Sequence, residues 1–178
     1  MTVFGNFDAR FPAMFALNCA IMLALSLLND AAAGVSAYVY APALMLVAPS
    51  LFLGRWGAFA MGVAVGFMFS AWAPVRDGAQ AALFGAACLA VHGLRHKFRN
   101  LDPMGIMWLT WGVNMALYFA SVAFIFPAGV AGAGAYAARV AVDAVFSSAA
   151  AALFSAYAVN LFRSVFFIFG VNLSVGED

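Results

Sequence analysis

The sequence predicts an all-α integral membrane protein: a compact bundle of six transmembrane helices with both termini in the cytoplasm. Three observations carry this expectation. The chain is 67% hydrophobic and 8% charged, against roughly 45–50% and 25% in soluble domains. Its apolar residues fall in long runs, several near the ~20 residues a helix needs to cross a ~30 Å hydrocarbon core. The runs lack the period-two alternation of a membrane barrel strand. No polar stretch among the 178 residues is long enough for a separate aqueous domain, so residues 1–178 read as a single transmembrane domain.

The first span is residues 11–28, preceded by Arg10 and followed by "NDAAAG". A secretory signal is the rival reading of this start. The run of about 18 residues exceeds the ~7–15 of a signal core, and further spans follow, so it is taken as the first membrane helix. The next spans are residues 35–53, 56–73, 79–94 and 104–126, separated by "GR", "PVRDG" and "RHKFRNLDP". Connections this short make neighbouring helices antiparallel, and only helices or closed barrels satisfy their backbone in lipid. In the third span Trp56 and Trp72 stand 16 residues apart, roughly 24 Å along a helix, as two headgroup-level markers would.

After "PAGVAGAGA" comes the apolar run of residues 135–170, with Arg139, Asp143 and Arg163 as its only charges. As one helix it would measure roughly 54 Å, more than a membrane core holds. Residues 144–162 make one membrane thickness, framed by Asp143 and Arg163. Arg139 and Asp143, at i and i+4, are then an interfacial charge pair, with a buried pair lining a path as the alternative. "SVFFIFG" beyond Arg163 reads as an interfacial segment or a docking element. Orientation follows from the basic residues. With a cytoplasmic N-terminus, that side receives Arg10, Arg55, Arg95, Lys97, Arg99 and Arg163, and the other only Arg76 and Arg139.

Within the spans, Ala58, Gly62, Gly66 and Ser70 form a small-residue stripe around a GxxxG motif. Such a stripe lets a second helix approach closely, either inside the bundle or from a partner. Ala82, Ala86, Ala90 and Ala144, Ser148, Ala152, Ala156 are similar stripes. "HGLRHKFRN" supplies a cytoplasmic basic loop, Arg95, Lys97 and Arg99, read as topogenic or as a contact for a partner or anionic headgroup. His92 and His96 lack a third ligand in sequence, so no metal is expected. Cys19 and Cys88 read as small hydrophobes in lipid. Asn18, Asn114 and Asn160 either bond across helices or line a cavity. The net charge of +1 gives no basis for nucleic-acid binding. No nucleophile set, nucleotide loop or paired membrane carboxylates can be assembled, so neither an enzyme nor a cofactor is expected.

The order of features from Pro42 in "YAPALMLVAPSLFLG", through Gly62 and Gly66 in "GAFAMGVAVGFMFS" and Pro74 and Gly78 in "APVRDGAQAALFG", to "HGLRHKFRN" resembles the rod-shape-determining protein MreD family. Where that family often has an aspartate after the second glycine, this chain reads "FMFSAWAP", so no functional acid is carried over. The resemblance implies a noncatalytic, multi-pass subunit of the bacterial inner membrane. It would bind the single-span scaffold MreC and help couple cytoskeletal MreB to the peptidoglycan glycosyltransferase and transpeptidase of the elongasome. The same glycine-rich architecture is similar to the substrate-binding S components of energy-coupling factor vitamin transporters. That alternative implies an uptake subunit with a pocket lined by residues such as Trp108, Trp111 and Asn114.

Overall fold

A computed structural model describes residues 10–35, 37–71, 78–98, 102–125 and 133–168. Its regular structure is helical, with no strand among the described residues. The six α-helices are α1 (Arg10–Ala32), α2 (Ala43–Phe52), α3 (Arg55–Ser70), α4 (Ala79–Leu94), α5 (Pro103–Ile125) and α6 (Ala133–Ile168). Two short 3-10 turns, Ala33–Val35 and Arg95–Phe98, extend α1 and α4. Both chain termini lie outside the described residues.

Three of the six helices, α1, α5 and α6, are long and apolar enough to cross a membrane. The expectation of six full-length spans is corrected by the other three. With 16 residues each, α3 and α4 reach about 24 Å, and α2 with 10 residues reaches about 15 Å. The second expected span, 35–53, fails because its first half is not helix. Residues 37–41 run without regular structure before Pro42 opens α2. The physical cause is local: proline disfavours helix at the residue before it, here Ala41, and Tyr38, Val39 and Tyr40 favour extended backbone. The sixth expected span, 144–162, lies inside an unbroken 36-residue helix that runs on past both Asp143 and Arg163.

Every residue of α2 is buried, which places this short helix at the centre of the bundle. Pro49 inside it has no N–H to give the Met45 carbonyl one turn back. In the same turn the Ser50 hydroxyl donates to the Leu46 carbonyl at 2.6 Å. The core around α2 draws on Met14, Met22 and Leu25 of α1, Met61 and Val65 of α3, Phe84 and Val91 of α4, and Leu117 of α5. Phe162 and Phe166 of α6 join the same core. The aromatic tail therefore begins as core packing, and only its Phe169 and Gly170 fall outside the described residues.

The closest helix pair is α3 with α4. A Cβ on Gly62 would lie 2.7 Å from the Phe84 carbonyl oxygen, and one on Gly66 would lie 2.7 Å from both Ala81 N and the Gln80 carbonyl oxygen. Only glycine admits backbone this near, which in lipid is the usual means of holding two helices together. Gly78 precedes α4 at φ +83°, a conformation that side chains with a Cβ resist.

Candidate functional site

Among the described residues, long-range side-chain hydrogen bonds concentrate on the non-helical stretch 37–41, which has no polar side chain apart from the two tyrosine hydroxyls. A run of backbone inside an apolar bundle must find partners for its N–H and C=O groups. Here side chains from three helices provide them. From α1, Asn29 accepts the Val39 N–H at 2.7 Å and donates its amide to the Val39 carbonyl at 3.1 Å. From α6, Asp143 accepts the Tyr38 N–H and the Ser147 hydroxyl oxygen accepts the Tyr40 N–H, both at 2.9 Å. From α5, Asn114 donates to the Tyr40 carbonyl at 2.9 Å and accepts the Ala43 N–H at 3.4 Å. The Tyr40 hydroxyl and Ser121 share a further bond of 2.7 Å.

This clamp reassigns Asp143. Its carboxylate is 3.8 Å from Arg139 Nε, but the two groups differ in setting: the arginine side chain is 64% exposed and the aspartate 13%. The expected interfacial pair is thus an exposed cation beside a mostly buried carboxylate whose other oxygen holds the Tyr38 backbone. The three asparagines also separate. Asn114 is fully buried in the clamp, Asn160 is exposed, and Asn18 is fully buried with neither amide atom bonded to a described residue. The Thr110 hydroxyl and Gln80 Oε1 are likewise buried, with no hydrogen bond to a described residue.

Sequence reading found Asp143 and Asn114 but missed Asn29, Ser121 and Ser147. The available signal was spacing: Asp143 and Ser147 are one turn apart, as are Asn114 and Tyr118, with Ser121 next, so each helix carries a polar edge toward "AYVYA".

Ala58, Gly62 and Gly66 are buried on α3, the two glycines against α4, while Ser70 is half-buried and donates to the Gly66 carbonyl at 2.9 Å. Ala82, Ala86 and Ala90 are exposed, because the buried face of α4 is one residue away, at Ala81, Gly85 and Cys88. On α6 the fully buried small residues are Ser147, Ala151 and Ser155 rather than Ser148 and Ala152, which are half-buried. Arg95 is buried and Lys97 exposed at the end of α4, and Arg99 lies outside the described residues, as do Trp72 and Arg76. His92 Nδ1 is 3.1 Å from the Ser50 carbonyl oxygen, and among the described residues no three His, Cys, Asp or Glu side chains group to hold a metal. Trp108 and Trp111 stack edge to face, 5.8 Å apart, at 61% and 39% exposure. Asn114, by contrast, is fully buried, with its amide on the Tyr40 carbonyl.

What the fold and the site define is a helical protein with three helices fit to cross a membrane, built around a central broken helix held by side chains. Comparison with protein-family models, curated proteins and solved structures gives no match to this chain.

Proposed function

We propose that this chain is a noncatalytic, multi-pass scaffold of the bacterial inner membrane, of the MreD type, which seats the membrane helix of a single-span MreC-type partner. The observation that carries the reading is an open groove of about 380 Å³ between α1 and α6. Its walls include Ala20, Ala24 and Leu28 on one side and Phe154, Tyr157 and Leu161 on the other, with Leu44 of α2 at its base. The small residues at Ala20 and Ala24, one turn apart, admit the ridge of another helix, and the larger side chains flank it. Leu23, Leu27, Leu153 and Tyr157 extend the outward apolar surface along both helices. In lipid such a surface associates through packing rather than hydrophobic burial, so shape complementarity decides what binds.

The basic residues support a cytoplasmic N-terminus and C-terminus. Arg55 and Lys97, which are exposed, then offer a cytoplasmic contact, in this reading toward MreB, with the glycosyltransferase and transpeptidase reached through the assembled complex. The test is affinity purification in mild detergent with mass spectrometry of what is retained. A single-span membrane protein recovered in near-equal amount is the expected result. A stable, partner-free monomer whose loss leaves cell shape unchanged would overturn the reading.

A further inference from the structure

A second cavity, of about 250 Å³, lies between α1, Tyr38–Val39 and Phe69 of α3. Its wall is chemically mixed. Ser26, Asn29 and Asp30 bring polar groups from the last turns of α1, whereas Leu25, Tyr38 and Phe69 are apolar or aromatic. Asn29 already spends its amide on Val39, which leaves Ser26 and the Asp30 carboxylate for an occupant. Asp30 is exposed and has no ion-pair partner among the described residues. Phe69 is fixed by edge-to-face contact with Tyr40 at 5.7 Å.

We infer that this cavity binds a compact organic ammonium group, with Asp30 as counter-charge and Tyr38 and Phe69 as the aromatic faces. One carboxylate beside two aromatic rings is the arrangement that recognises alkylammonium ions, since the ring faces attract cations and the apolar walls accept the alkyl substituents. An ammonium gains the attraction of the Asp30 carboxylate, which a neutral occupant lacks and an anionic one meets as repulsion. The volume is below the ~300 Å³ at which sites for drug-sized ligands begin, so the occupant is small. The ammonium comes either from a soluble compound or from a lipid headgroup. This inference stands apart from the scaffold reading: Leu25 borders both cavities, but Ser26, Asp30, Tyr38 and Phe69 border this one and not the α1–α6 groove.

The test uses the full chain in nanodiscs of phosphatidylglycerol, which has no ammonium, titrated calorimetrically with choline and with its neutral isostere 3,3-dimethyl-1-butanol. Choline is expected to bind saturably and at least tenfold more tightly than the isostere. Asp30→Asn and Tyr38→Leu, at exposed positions, should each weaken choline by about tenfold with unchanged thermal unfolding. If phosphatidylethanolamine in the disc competes with choline, the headgroup is the source; if it does not, the ligand is soluble. Absence of saturable choline binding, equal binding of the isostere, or an Asp30→Asn variant that binds as well as the parent would overturn the inference.

Discussion

Asn114→Ala is expected to lower the stability of the chain in detergent by about 3 kcal/mol, because it strips partners from two buried backbone groups at once. The Asn114 amide serves the Tyr40 carbonyl and the Ala43 N–H, at the point where the extended stretch turns into α2. Leaving a buried donor or acceptor unsatisfied costs about 1–3 kcal/mol each, well above the net value of a typical bond. For a chain of this size that corresponds to a fall on the order of 10 °C in the unfolding midpoint. Asn160→Ala, at an exposed position of α6, should stay within about 0.5 kcal/mol of the parent. Thermal unfolding followed by circular dichroism compares the two. Equal midpoints would mean that the clamp does not hold the broken helix.

The second large effect is expected at Gly66. A Cβ there would meet backbone atoms, Ala81 N and the Gln80 carbonyl oxygen, at 2.7 Å. Unlike the far end of a flexible side chain, these atoms cannot swing aside, so Gly66→Val must separate α3 from α4. Overpacking typically costs 1–3 kcal/mol, and this site should reach at least the upper end, about 3 kcal/mol. Gly93→Ala makes the contrasting case: its Cβ would meet nothing within 4 Å. It should be neutral or slightly stabilising, through the ~1 kcal/mol by which alanine exceeds glycine in helix propensity. Size-exclusion profiles and unfolding midpoints of the two variants in one detergent give the comparison, and a well-folded Gly66→Val would contradict the close approach.

The long helices were legible because length and apolarity alone define them. Residues 11–28 and 104–126 were expected, and α1 and α5 run Arg10–Ala32 and Pro103–Ile125. The fourth helix was expected at 79–94, and α4 runs Ala79–Leu94. Which face each helix buries was much less legible. In an alanine-rich helix such as α4 every register offers a small-residue stripe, and periodicity does not choose between Ala82, Ala86, Ala90 and the buried Ala81, Gly85, Cys88. The broken second helix was missed because apolarity does not distinguish buried helix from buried extended chain. Pro42 and the tyrosine and valine residues before it were the local signal. Of the clamp, Asp143 stood out as a charge in an apolar run, whereas Ser121 and Ser147 were indistinguishable from serines that bond within their own helix, as Ser155 does to the Ala152 carbonyl.

The central functional claim is that the α1–α6 groove holds a partner's membrane helix, and crosslinking from the groove itself tests it most directly. A photoreactive benzoylphenylalanine is placed at position 161, on the groove wall, and in a second variant at position 86, on the exposed face of α4. Irradiation in living cells, followed by mass spectrometry of the adducts, reports which proteins touch each position. One dominant adduct is expected from position 161, a single-span membrane protein of MreC type, and none of that species from position 86. Adducts to lipid alone from position 161, or the same protein captured equally from both positions, would contradict it.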